Sequence, residues 1–269
     1  MQQAIAILDS GVGGLTVVKE VMRQLPQEKI IYFGDTARAP YGPRTPEEVK
    51  LFTYQIVRYL MQFNPKMICI ACNTATAVAL EDIRSMVNIP VVGVIFPGVR
   101  AAIKTTSSGA VGVIGTEGTI RSGAYVRALK EISPQTEVYS LACPSFVPLV
   151  EKGLFQGRHT QDEVARVLRP FKDRPMDCLI LGCTHYPFLA DEIADFMGPS
   201  VALISSAEET AREISALLSH RNQLSRQGQE PIHQFFCSGD PKLFQQITQA
   251  WLKEQIRVTP VVWQIAQFS

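Results

Sequence analysis

Short apolar runs, each stopped by glycine or small polar residues, alternate along the chain with segments whose apolar residues return every three or four positions. The first run, Ala4 to Leu8, is apolar without alternation, as in a parallel strand buried on both faces, and it feeds the turn-forming stretch Asp9 to Gly14. Leu15, Val18, Val21, Met22 and Leu25 then recur at helical spacing up to Pro26, and Lys29 to Phe33 reads as a second strand. Gly34 to Arg44 is dense in breakers and polar groups and reads as a loop of the kind that carries function. The spacing predicts a helix from Pro46 to Met61 with proline in its first turn, a strand ending at Cys72, a helix to Met86 and a strand over Val91 to Ile95.

The alternation then starts again. A helix from Val99 to Lys104 leads into a strand at Ala110 to Ile114, a turn at Gly115 to Thr119, a helix to Ile132 and a strand at Thr136 to Leu141. Ala142 to Glu151 reads as an apolar loop with two prolines and one carboxylate. A helix at Gln161 to Leu168, a strand at Asp177 to Leu181, a helix at Pro187 to Phe196 and a strand at Val201 to Ile204 follow. Three strand-to-loop junctions repeat in order: Ile5 to Gly11 matches Val111 to Glu117, Ile68 to Thr74 matches Leu179 to His185, and Val91 to Val94 matches Val201 to Ile204. Cys183 stands 111 positions after Cys72, and the other offsets are nearly the same. A constant offset predicts an α/β protein of two pseudo-symmetric domains, each a mostly parallel sheet flanked by helices. The remainder (a helix at Ser206 to Ser219, a polar stretch at Arg221 to Glu230, a strand at Pro231 to Cys237, a helix, and a strand near Arg257 to Trp263) has no counterpart after the first unit. It is expected to close the first domain, which gives residues 1–96 with 207–269 as one domain and 97–206 as the other.

Composition narrows the class. The 269 residues carry 26 basic and 25 acidic side chains, a net charge of +1, with no charge run that could follow a phosphate backbone, so nucleic acid is not an expected partner. No basic start with a long apolar core opens the chain and no run reaches membrane-spanning length, so a soluble, cytoplasmic protein without membrane contact is expected. Six cysteines (Cys69, Cys72, Cys143, Cys178, Cys183 and Cys237) in such a chain point to reduced thiols rather than a disulfide framework.

Ligands of open α/β sheets bind beyond the carboxyl ends of the strands, where Asp9, Ser10, Cys72, Asn73, Thr116, Cys183, Thr184 and His185 all stand. A thiol there meets a helix N-terminus and backbone N–H groups, which are expected to draw its pKa from about 8.5 toward neutrality and make it a base or nucleophile. A cysteine closing a buried strand can equally be packing. Polar neighbours in both repeats, Asn73-Thr74 and Thr184-His185, favour chemistry. Cys69 and Cys72 have redox-motif spacing, but Cys69 lies inside the strand on the opposite face, which fits packing. Cys72, Cys183 and His185 could together supply the three ligands of a catalytic zinc, but Cys183 and His185 are only two apart and no second ligand cluster exists, so no metal is expected. Gly11 to Gly14 lacks the third glycine of a dinucleotide fingerprint, position 16 being Thr; these glycines are expected to let the backbone approach a small ligand with a cationic group for Asp9. His185 and Glu151 read equally as a capping imidazole and a loop-edge acid.

At Asp9 to Leu15, Gly34 to Gly42, Ala71 to Ala75 and Leu181 to Pro187, the sequence closely resembles the glutamate racemases of the aspartate/glutamate racemase family, and the resemblance runs from near residue 4 to about residue 210. It implies a cofactor-independent enzyme with its active site in the cleft between two α/β domains, interconverting L- and D-glutamate and feeding D-glutamate to the cell wall. By that resemblance Cys72 and Cys183 are the acid/base pair, Glu151 and His185 assist them, Asp9 counts with them as catalytic, and Asp9, Ser10, Tyr41, Gly42, Asn73, Thr74, Thr184 and His185 match substrate-binding positions. Thr116 and Thr119 sit where the family also holds the substrate carboxylates. The residues fit this chemistry on their own terms, since inversion at an α-carbon needs a base on one face and an acid on the other. An aspartate or hydantoin racemase, and a non-catalytic amino-acid-binding protein, are the competing readings; a homodimer is among the assemblies the sequence leaves open.

Overall fold

Ten strands form two parallel sheets in this computed structural model, which describes residues 3–263 apart from 226, 227 and 229. Part of the polar stretch 221–230 therefore lies outside the described residues. The first sheet holds β1 (Ile5–Asp9), β2 (Ile30–Gly34), β3 (Met67–Ile70) and β4 (Val91–Gly93). The second holds β5 (Ala110–Gly115), β6 (Glu137–Ala142), β7 (Cys178–Gly182) and β8 (Ala202–Ser205). Last come β9 (Gln234–Cys237) and β10 (Val258–Pro260), which return to the first sheet.

The strand orders make the repeat explicit. The first sheet runs β10-β9-β2-β1-β3-β4 and the second β6-β5-β7-β8, so β2-β1-β3-β4 and β6-β5-β7-β8 are the same four-strand unit. Three of these pairs are visible in the sequence. The fourth, β2 with β6, is not, and packing explains why. β2 is buried along its whole length because β9 pairs with it, whereas β6 is an edge strand that keeps Glu137 and Ser140 exposed. An edge strand tolerates polar residues that an interior strand does not.

Alternation along the strands feeds two cores on either side of each sheet. In the first sheet, Ile5, Ile7, Met67 and Cys69 enter one core with the helices Leu15–Gln24 and Ser206–His220, while Ala6, Leu8, Ile68, Ile70 and Cys72 enter the other with Pro46–Met61 and Asn73–Met86. Cys69 is thus core packing on the face away from Cys72, as the strand period requires. The second sheet is layered in the same way by Arg158–Leu168 on one face and by Ile95–Thr105 and Ala124–Ile132 on the other. Each fully buried aliphatic side chain contributes about 1.5–3 kcal/mol, which places most of the stabilisation in these four layers.

Three expectations need correction. Val91 to Ile95 is a strand only to Gly93, because Ile95 already begins the next helix, whose first turn accommodates Pro97. Ala142 to Glu151 contains a helix, Phe146–Glu151, with Pro148 in its first turn, where a missing N–H leaves no intrahelical bond unmade. Pro187 sits in a 3-10 turn, Tyr186–Leu189, and the α-helix starts at Ala190. The helix Pro46–Met61 starts where expected, and Thr45 and Glu48 form a reciprocal capping box that fixes the end of the preceding loop. No described helix is long and apolar enough to cross a membrane.

A buried ion pair ties the start of the first sheet to the loop after Ser206–His220. Lys66 Nζ lies 2.5 Å from Glu28 Oε2 and donates to Gln223 O, and Glu28 also takes the backbone N–H and hydroxyl of Ser225. Lys66→Met strands the Glu28 charge in a site that is 2% exposed; unfolding in denaturant is expected to show a loss of about 3 kcal/mol, largely recovered in Glu28→Gln/Lys66→Met.

Candidate active site

Four strand ends converge on one cleft. Asp9 closes β1, Cys72 follows β3, Thr116 follows β5 and Cys183 follows β7. The cleft is narrow and is lined by Ser10, Tyr41, Gly42, Cys72, Asn73 and Thr74 from the first lobe and by Thr116, Glu151, Cys183, Thr184 and His185 from the second. Ala39, Pro40 and Val147 complete the wall. Those three carry no polar side chain to single them out, although Ala39 and Pro40 lie in the breaker-rich loop. A larger recess of about 1050 Å³ opens on the other side of Glu151 among Phe155, Phe188 and Phe244; it contains neither thiol.

Two expected residues stand behind the wall. Asp9 is wholly buried; its Oδ1 accepts the Gly11 N–H at 2.9 Å and its Oδ2 the Thr184 hydroxyl at 3.3 Å. Thr119, also buried, completes a hydroxyl triangle with Thr74 and Thr116, with edges of 2.9, 3.0 and 3.1 Å. The expectation that the glycines of the first turn admit a ligand is corrected for Gly13 and Gly14. A Cβ at Gly13 would lie 2.5 Å from His185 Nδ1, and one at Gly14 would lie 2.6 Å from Asp9 Cβ. The space beside them is taken by protein, and Gly13 lets the two lobes touch. Gly42 does the same on the opposite rim, where a Cβ would lie 2.8 Å from Thr116 Cβ and where its carbonyl accepts the Gly118 N–H at 2.9 Å.

The two thiols have unlike surroundings. Cys72 is the N-cap residue of Asn73–Met86, 5% exposed, and donates to Ser10 Oγ at 3.6 Å. Burial, reinforced by the Asp9 charge, pushes it up to about 12, against the contrary pull of the Ala75 N–H and the Ser10 hydroxyl. The expected drop toward neutrality is therefore reversed here, because desolvation outweighs the helix N-terminus. Cys183 is 6% exposed and leads into the 3-10 turn rather than an α-helix; its Sγ lies 3.8 Å from His185 Nδ1, and His185 Nε2 lies 3.0 Å from Glu151 Oε1. Burial works against the His185 charge, but hydrogen bonds with Cys183 and Glu151 outweigh it and raise the imidazole to about 10. Asp9 is raised too, chiefly by burial and in spite of the His185 charge.

One donor is left over. Tyr125 donates to Asn73 Oδ1 at 2.7 Å, and this bond, which the sequence does not signal, turns the Asn73 amide so that Nδ2 has no partner among the described residues although Asn73 is 3% exposed. A buried N–H without an acceptor costs about 1–3 kcal/mol, so the cleft is built to receive one. No group of three or more His, Cys, Asp or Glu among the described residues has metal-holding geometry.

Comparison with known proteins agrees with this geometry. Residues 10–214 match the family model described as Asp/Glu/Hydantoin racemase. The glutamate racemase of Oceanobacillus iheyensis is 53% identical over 94% of this chain and 93% of its own. Among solved structures, glutamate racemase isoform RacE1 of Bacillus anthracis superposes with a TM-score of 0.94 at 47% identity, covering 96% of this chain and 97% of that one. The Francisella tularensis glutamate racemase, solved in complex with D-glutamate, gives 0.91 at 34% identity over 99% of both chains.

Gly13→Ala is expected to wedge the lobes apart; alkylation of Cys72 and Cys183 by iodoacetamide, followed by mass spectrometry, should accelerate about tenfold or more over the slow wild-type rate while the circular dichroism is unchanged. Since the folded-state value of His185 lies above its ordinary 6.5, its charge contributes stability present in full below about pH 6.5 and lost as pH rises through about 10. Nitrogen NMR should find its ring doubly protonated at pH 8 in the wild type, with the titration moved down in Glu151→Gln.

Proposed function

The chain belongs to the Asp/Glu/hydantoin racemase family, and from that we propose that it interconverts L- and D-glutamate by a two-thiol, cofactor-independent mechanism. The observation that carries the reading is the pair Cys72 and Cys183, one from each repeat of the fold, on the wall of a single cleft. The reading takes residues 1–96 with 207–269 as one lobe and 97–206 as the other. Both thiols come from one chain, so the chemistry requires no second copy.

The steps follow from the residues. A thiolate on one side of the α-carbon takes its proton, and the thiol on the other side returns one to the opposite face; in the reverse direction the two exchange roles. Cys72, held as a thiol by burial and by Asp9, begins as the acid. His185, positively charged and hydrogen-bonded to Cys183 and Glu151, places a cation beside the second thiol. The α-proton of an amino acid is weakly acidic, so the carbanion needs donors at the carboxylate and a site without water. The unpartnered Asn73 amide is the first of these donors, joined by the Ser10, Thr74, Thr116 and Thr184 hydroxyls and by the backbone at Tyr41 and Gly42. Thr119 braces Thr74 and Thr116, and Asp9 reaches the site through Thr184 and through its charge on Cys72. Close relatives are glutamate racemases, one solved with D-glutamate, which selects glutamate over aspartate or a hydantoin. The product serves as the D-glutamate of peptidoglycan, made in the cytoplasm.

Cys72→Ser and Cys183→Ser are each expected to lower racemisation by about 10²–10⁴-fold in both directions, followed by circular dichroism of the substrate. Wild-type protein in deuterium oxide should place solvent deuterium at the α-carbon of glutamate. Tight binding of glutamate without exchange would show a binding protein instead.

A further inference from the structure

Asp35 lines no part of the cleft, yet it is wholly buried and its two oxygens receive four donors. Two come from its own loop: Arg38 Nε at 2.6 Å and the Tyr41 hydroxyl, both to Oδ2. Two come from the far end of the chain: Ser238 Oγ at 2.7 Å and Trp263 Nε1 at 2.9 Å, both to Oδ1. Ser238 Oγ also accepts the Ala37 N–H at 3.0 Å. The Arg38 guanidinium lies between the rings of Phe52 and Trp263, 4.2 and 4.4 Å from their centroids. Arg38 and Tyr41 flank Ala39 and Pro40, so one carboxylate grips both sides of the segment that walls the cleft.

We propose that Ser238 and Trp263 are positioning residues: they hold Asp35, and Asp35 holds the cleft loop Ala39–Gly42 at the distance the substrate requires. The effect on substrate rests on the racemase reading; the grip on the loop does not. The chemistry favours positioning over simple packing. A buried carboxylate that loses one of four donors keeps an unsatisfied lone pair and reorganises toward the three that remain, two of which belong to the loop. Tyr41 stays a donor throughout the working pH range, because burial and the adjacent Asp35 charge raise its phenol far above the ordinary value. With the phenol turned to Asp35, the backbone of Tyr41 and Gly42 is what the loop offers a ligand. Such contacts are made to the bound substrate and to the transition state alike, so loosening them raises KM and leaves kcat nearly alone.

The test uses Ser238→Ala, Trp263→Phe and Trp263→Ala in the full chain. Trp263→Phe keeps an aromatic ring at this position while removing the N–H together with part of the indole's packing area. Expected are KM values for glutamate raised about three- to tenfold in Ser238→Ala and Trp263→Phe, and more in Trp263→Ala, with kcat per active site within about twofold of wild type. Hydrogen exchange at the Tyr41 and Gly42 amides should quicken in the same order. A KM within twofold of wild type in both mild variants, together with unchanged exchange in the loop, overturns the proposal whatever happens to the melting temperature. If Trp263→Ala does not fold, the two mild variants decide. A wild-type protein that fails to racemise glutamate sinks the functional reading instead, and loop exchange alone then judges the clamp.

Discussion

Folding takes ionisable groups out of water both between the two lobes and in the loop beside the site, and the rest of this structure answers to that desolvation. Asp9 and Asp35 are wholly buried, and Cys72, Cys183 and His185 nearly so. Each therefore needs a partner whose position is fixed. Asp35 has four donors, Asp9 has Gly11 and Thr184, and His185 has Cys183 and Glu151. The low polarity that makes these arrangements obligatory also strengthens the fields inside the cleft. An α-proton that water would not surrender becomes transferable in the place where solvent has been excluded.

The two halves share strand order but not electrostatics. Cys72 caps a regular helix and answers to a carboxylate, while Cys183 stands two residues before the cap of a 3-10 turn and answers to a cation. A repeated fold thus supplies two thiols at equivalent places and then differentiates them through neighbours that the repeat does not copy. His185 has no counterpart after Cys72, where position 74 is a threonine.

Much of this was legible in the chain because it is local. Apolar runs buried on both faces announce their strands, and a thiol after each of the matched strands β3 and β7 marks the site. Burial is not local, which is why helix-terminal placement misjudged the direction in which Cys72 shifts. Gly13 looked like a ligand contact because its real neighbours, Thr184 and His185, lie in the other half of the sequence. Pro148 reads as a breaker unless one knows that it falls in a first turn. β6 concealed its kinship with β2 because edge and interior strands are written in different alphabets. Asp35 goes unmarked in the chain because its partners lie more than 200 positions away at Ser238 and Trp263.

The return of β9 to β2 has a consequence for how the protein is made. The second lobe is inserted within the first, so the chain crosses between them twice, and the edge of β2 cannot be paired until β9 has been synthesised. At ordinary elongation rates of about 5–20 residues per second, the interval between Gly34 and Gln234 is on the order of ten to forty seconds. During that time Tyr32 and Phe33 present a bare strand edge while the whole second lobe has time to form. The order of maturation on the ribosome is then the reverse of the order of the sequence: the inner lobe is completed first, and the lobe that begins the chain is the last to close.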